Sequence, residues 1–215
     1  MVTDILAGKN TIPAMEAELK ENPNEDGLLY KLGKKYSDRG ESEIAENYFN
    51  QFIENSPESM DDEIISAKFS LAKFGWDNGE ISKLQNFIDE YPNSEQCLSA
   101  YQYISRYYST QNDTANEVKS LLEMAEKYPE NSSALNSYAW RMTELNRNLG
   151  DALIKAKNGV KFADEDTKPM ILDTQAEIEW MLGDVESAIK TIELAISMDS
   201  ENEYYQEQLE KFKGE

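Results

Sequence analysis

Residues Asp26 to Pro57, DGLLYKLGKKYSDRGESEIAENYFNQFIENSP, decide how the rest of the chain is read. Leu29, Leu32, Gly33 and Tyr36 fall at i, i+3, i+4 and i+7, the spacing of one face of an α-helix. Asp38-Arg39-Gly40 interrupts that face. Ile44, Ala45, Tyr48, Phe49 and Phe52 then form a second face, which Pro57 closes. Two helices joined by a tight glycine turn cannot bury both apolar faces alone, so the stretch predicts neighbours of its own kind.

Counting prolines finds those neighbours. Pro23, Pro57, Pro92 and Pro129 stand in ENPN, NSPE, EYPN and KYPE at intervals of 34, 35 and 37 residues. Asp164 and Ser200 continue the ladder by 35 and 36. A period in this range predicts a solenoid of helical hairpins, each too small to fold alone. With a large apolar residue at Leu29, then Leu32-Gly33, Tyr36, Ala45, Phe49 and Pro57 in register, the stretch resembles the tetratricopeptide family. The resemblance implies an all-α, right-handed superhelical solenoid of antiparallel helix pairs, forming a single domain over 1–215. Its parts are a half-repeat over 12–25, repeats over 26–59, 60–97, 98–131, 132–168 and 169–202, and a capping helix over 203–215.

The repeats are not equally regular. In the second, Lys68 stands where a small residue belongs, and Asp77-Asn78-Gly79 lies only 13 residues before Pro92, against 17 from Gly40 to Pro57. That spacing predicts a longer first helix and a shorter second one. In the third, the polar stretch STQNDTANE (109–117) reads as the most mobile connection. The fourth has a turn over Leu145 to Gly150, one residue longer than in the first repeat. The fifth is regular, with Pro169 suited to a first helical turn. Ile12 to Glu21 reads as the second helix of a unit without its first, so either Met1 to Gly8 covers an apolar face or an upstream domain precedes it; the second is the expectation. Repeats four and five resemble the C-terminal repeat tails of some bacterial multidomain proteins, including ones with a thioredoxin-like domain in front.

Composition narrows the chemistry. There are 42 acidic and 21 basic residues, a net charge of −21 and a pI of about 4.3. Such a field repels phosphate backbones, which disfavours nucleic acid, and favours a protein or peptide partner that is basic where it touches, or amphipathic. The same charge also keeps an extended array dispersed. Histidine is absent, which removes the commonest general base and transition-metal ligand. Cys97 is the one cysteine, so an internal disulfide and a thiolate zinc cluster are both impossible; it reads as a small buried residue. Asp61-Asp62-Glu63 and Asp164-Glu165-Asp166 lack the alternating ligands and central glycine of a calcium loop and read as charges at helix starts. No apolar run is long enough for a membrane span, no signal peptide is visible, and the compartment is left open. Neither catalysis nor a cofactor or metal is expected.

In the family this chain resembles, the first helices of successive units line a concave groove that takes extended or helical peptides. Carried over place by place, the groove positions hold Tyr30 and Lys34, then Ile65 and Phe69, then Gln102, Arg106 and Ser109. They continue with Asn136, Trp140 and Thr143, and end with Asp173, Glu177 and Trp180. Other roles are open to some of them: Trp140 and Trp180 for packing between helices, Asn136 and Asp173 for helix N-termini. A chaperone-binding subset of the family clamps a C-terminal carboxylate with Lys and Asn; the corresponding places hold Tyr30 and Lys34, Ser66, Ser99 and Tyr103, so that clamp is not expected. The resemblance implies a non-enzymatic interaction module or scaffold. The alternatives are a structural or self-associating arm, or a substrate-recruiting tail of an upstream, thioredoxin-like domain.

Overall fold

A computed structural model of the chain describes residues 10–23, 25–56, 61–76 and 78–214. Among them the chain forms twelve α-helices and no strand: α1 (Ile12–Glu21), α2 (Asp26–Asp38), α3 (Ser42–Asn55), α4 (Asp61–Phe74), α5 (Ser82–Glu90), α6 (Gln96–Thr110), α7 (Thr114–Lys127), α8 (Ser132–Glu144), α9 (Leu149–Phe162), α10 (Lys168–Met181), α11 (Val185–Met198) and α12 (Glu203–Lys213). The architecture is a helical-repeat solenoid. The chain divides into two compact units with the boundary between Tyr107 and Tyr108. Pro57, Asp77 and the covering role considered for Met1 to Gly8 lie outside the described residues.

In the first unit, α2 packs on α3, α1 on α2, and α4 on both α3 and α5; the first helices α2 and α4 also touch. Leu29, Leu32, Phe49 and Phe52 are fully buried at the centre, with Met15 of α1 joined to them. Gly33 permits this packing. A Cβ at that position would lie 2.6 Å from Phe49 Cδ1, so the ring occupies the room a side chain would need. Helix α1 is fastened by polar bonds as well. Glu16 Oε1 accepts from the Tyr36 hydroxyl and, at 3.4 Å, from that of Tyr48, while the two rings stack with centroids 5.6 Å apart. The bond to Glu16 and burial push the Tyr36 hydroxyl up to about 12.

The irregular repeat has the proportions its turn spacing predicts: α5 has only 9 residues, while α4 has 14 against 13 in α2. Lys68 does not enter the apolar core. Its ammonium bonds Glu90 Oε1 at 2.9 Å and the Tyr91 hydroxyl, tying α4 to the end of α5. Ala67, one place earlier, supplies the small buried residue instead. Cys97 is buried, and its thiol donates to the Tyr91 carbonyl at 3.0 Å.

In the second unit α8 pairs with α9 and α10 with α11. α10 also packs on α8 and α9, α7 packs on α8, and α12 covers α11. Leu172, Ala176, Ala188, Ile192 and Ala195 are covered by Tyr205 and Phe212 of α12. Two local expectations need correction. The polar stretch 109–117 is mostly helical: α6 runs to Thr110 and α7 starts at Thr114, because Asn112 adopts a left-handed φ of 54° and Asp113 caps α7 by accepting from Asn116 N. Gly150 is not a turn residue but lies in α9; Asn146 and Asn148 make that turn with φ of 49° and 48°.

Candidate functional site: the first-helix faces

In the first unit the candidate residues lie on α2, α4 and α6. Tyr30 leans onto Phe52 and Phe49, with centroids 5.1 and 6.1 Å away, and its hydroxyl donates to Ser66 Oγ at 3.0 Å. It thereby links α2 to α4. Lys34 is exposed, its ammonium 5.7 Å above the Tyr30 ring. Phe69 packs between Phe87, at 5.4 Å, and Tyr103, at 6.4 Å. Trp76 stands edge-on to Tyr103 and donates its indole N–H to the Tyr103 carbonyl at 2.8 Å. Arg106 is exposed and covers the Trp76 ring at 5.8 Å; Gln102, one turn earlier, is also exposed. Ile65 borders a cleft of about 620 Å³ with Asp62, Glu90, Tyr91 and residues 92–96. Most of the aromatic surface at these places is therefore engaged within the unit.

In the second unit the candidates lie on α8 and α10, and they differ in kind. Asn136 and Asp173 occupy corresponding places on these two touching helices, and they are 8% and 7% exposed. Neither is a helix cap: Asn131 caps α8, accepting from Ala134 N at 2.9 Å, and Asp173 lies in the body of α10. Trp140, one turn beyond Asn136, is 38% exposed. Thr143 is buried, its hydroxyl returned to the Ala139 carbonyl at 2.8 Å.

Glu177 and Trp180 meet α12. The Lys211 ammonium lies 2.7 and 2.6 Å from the two Glu177 carboxylate oxygens and 4.6 Å from the Trp180 ring centre. Phe212 packs on Trp180 at 5.8 Å. Trp180 is thus half-buried under α12, while Trp140 is open.

The electrostatics follow from this layout. Burial, reinforced by the charge of Glu177 and opposed by Lys211, pushes the Asp173 carboxyl up to about 7. The Tyr204 hydroxyl is raised by burial and then by Asp173 and Glu177; that of Tyr205 by burial, Asp173 and Asp199. Sequence reasoning did not find Lys211 and Tyr204 as neighbours of this face. Their only signal was the i, i+4, i+7 stripe of α12, which places that helix on the array without saying which polar groups it meets. Among the described residues no group of three or more His, Cys, Asp or Glu is arranged to hold a metal ion, and no helix is long and apolar enough to cross a membrane.

Residues 28–59 match the family model of the tetratricopeptide repeat. The fold is similar to BtubC (BKLC) from P. vanneervenii, with a TM-score of 0.63, 10% identity, and 92% of this chain and 90% of that chain covered. It is also similar to YrrB, a TPR protein with an unusual peptide-binding site, with a TM-score of 0.57, 11% identity, and 90% and 96% of the two chains covered. None of the curated proteins matches the sequence. The helical hairpins and the matched repeat agree on the fold, a helical-repeat solenoid that carries a tetratricopeptide repeat over residues 28–59.

Proposed function

We propose that the chain is a non-enzymatic protein-interaction module that captures a partner segment on the first-helix face of its second unit. The observation that carries this reading is a solvent-exposed indole, Trp140, on the same face as two buried polar side chains, Asn136 and Asp173, whose Oδ1 atoms accept from no described residue. Buried polar groups in native proteins are almost always paired, and an exposed tryptophan beside them is the usual anchor of an interface. YrrB is a peptide-binding protein built on the same class of repeat, which supports the reading. The net charge of −21 favours a segment that is basic or amphipathic. Tyr30, Lys34, Ile65, Phe69, Gln102 and Arg106 are proposed as a second, subsidiary contact surface on the first unit. Among these Lys34, Arg106 and Gln102 are the exposed polar groups.

The test is selection of binders from a displayed library of unstructured peptides, followed by titration against the wild type and the Trp140→Ala variant. Loss of an exposed anchor should weaken binding about 30-fold or more, the range of a hot-spot tryptophan. Circular dichroism should show unchanged helicity and melting. Equal binding by both proteins would remove the second unit's face as the site.

A further inference from the structure

What the second unit recognises can be read from the two oxygens. Asn136 Oδ1 and Asp173 Oδ1 are buried acceptors to which no described residue donates. The neighbouring buried carboxylates are answered. Glu117 receives Arg141 at 2.8 Å, while Glu179 receives Gln175 at 2.9 Å, Thr191 at 2.7 Å and Lys157 at 3.2 Å. Arg141 Nε on α8 is an unpaired buried donor, and Asn136 and Asp173 add unpaired acceptors at corresponding places of α8 and α10, which point to a ligand that brings donors.

We propose that Asp173 and Asn136 receive a basic side chain, lysine or arginine, from an otherwise apolar peptide segment; this rests on the capture reading above. Once Asp173 is ionised, its carboxylate and the Asn136 amide oxygen offer acceptors on two touching helices, which suits an ammonium or, better, the planar fork of a guanidinium. Trp140 gives the flanking apolar residue a surface. The chain already performs this chemistry one turn along α10, where Lys211 sits between both oxygens of Glu177 and the ring of Trp180. Glu177 holds Lys211 through both of its oxygens, while no described residue donates to Asp173 Oδ1.

The charged and titratable groups facing Asp173 are Glu177 on its own helix and Lys211, Tyr204 and Tyr205 on α12. With the site empty, burial keeps the carboxyl protonated to about pH 7. An arriving cation favours the ionised form, so capture near neutral pH releases a proton.

The experiment uses the full chain and the library-selected peptides, titrated calorimetrically in buffers of unlike ionisation enthalpy. The expected result is that the peptides share a lysine or arginine beside an aromatic or aliphatic residue. Replacing that residue with norleucine or citrulline, or the protein's Asp173 with Asn, should each weaken binding about tenfold or more, as for a hydrogen bond to a charged group. Combining the two changes should cost little more than either alone, and Asp173→Asn should abolish proton release. Asn136→Ala provides a second variant should Asp173→Asn disturb folding, and it should weaken the basic peptide more than its neutral counterpart. Peptides that depend on Trp140 but need no basic residue would overturn the cation receptor and leave the capture surface standing. Binding indifferent to Trp140→Ala, or no binding at all, would overturn both. A dimer detected by sedimentation and dissolved by Asp173→Asn, with no peptide bound, would assign the face to a second copy and overturn the proposal.

Discussion

In the first unit the places that face outward from the first helices hold rings packed on one another, Tyr30 on Phe49 and Phe52, Phe69 on Phe87 and Tyr103. In the second unit the corresponding places hold Asn136, Trp140, Asp173 and Glu177, and the core beneath them mixes alanine, leucine and isoleucine with Tyr138, Met124 and Met142. The difference concerns where the large side chains go. Unit one pairs Gly33 with Phe49, letting a ring fill the interior. Unit two has Ala139 and Ala176 at the place of Gly33, and Ala156 and Ile192 at the place of Phe49, so no ring is needed there. One repeat pattern thus yields a unit whose first-helix places hold packed rings and a unit whose same places hold unpaired polar groups. A shared register does not imply a shared role.

The sharpest way to break this comparison is at Phe49, which is fully buried and touches both Tyr30 and Phe74. Phe49→Ala should destabilise the first unit by ~3–5 kcal/mol, the usual cost of removing a buried ring. Gly33→Ala should cost ~1–3 kcal/mol through overpacking against that ring. Urea unfolding followed by the fluorescence of Trp76, with Trp140 and Trp180 replaced by Phe, would measure both. A neutral Gly33→Ala would show that the ring has somewhere else to go, and the close-approach account would then fail.

The next effect belongs to the second unit and has a sign set by Asp173. Its native value of about 7 lies above that of an unfolded aspartate, so between those values the native state binds the extra proton. Stability from this group is complete below about pH 4 and is lost as pH rises through 7, by at most ~4 kcal/mol. Asp173→Asn should flatten that part of the profile and make the second unit more stable than wild type at pH 8. Thermal melts of the two proteins at pH 5 and pH 8 provide the check. An unchanged difference between wild type and variant across that interval would mean that the carboxylate is already paired when ionised.

Much of the fold was legible because packing positions repeat. Leu29, Leu32, Gly33, Ala45 and Phe49 recur in register with Leu135, Tyr138, Ala139, Ala152 and Ala156, and helical periodicity exposes such a series without tertiary knowledge. The apolar stripe of the helix Glu203–Lys213 was legible for the same reason. Turn conformation was less so: Asn112, Asn146 and Asn148 take left-handed φ where glycine would have been the plain signal. The candidate face was legible as a set of places and not as a set of roles. Tyr30 bonds Ser66 across 36 residues and Lys211 bonds Glu177 across 34; long side chains meeting across helices leave no period in the sequence. Burial of Asp173 depends on what lies over it, which the pattern of α10 alone does not reveal.

The smallest expected effect tests whether the polar contacts of the first unit matter as those of the second do. Lys68 reaches Glu90 at 2.9 Å, but their side chains are 33% and 60% exposed, and solvent screens the pair. Glu117 and Arg141 of the second unit are 7% and 25% exposed, where screening is far weaker. Lys68 is raised above an ordinary lysine chiefly by its bond to the Tyr91 hydroxyl, with burial opposing. Lys68→Met keeps the aliphatic stem beside the Tyr91 ring and removes only the charge, so it should cost no more than ~1 kcal/mol, and less in 1 M salt. Denaturant titrations at low and high salt would give the difference. A cost above 2 kcal/mol that persists at high salt would place the hydroxyl bond, rather than the ion pair, at the centre of the irregular repeat. The first unit would then depend on a buried polar contact as well as on its rings.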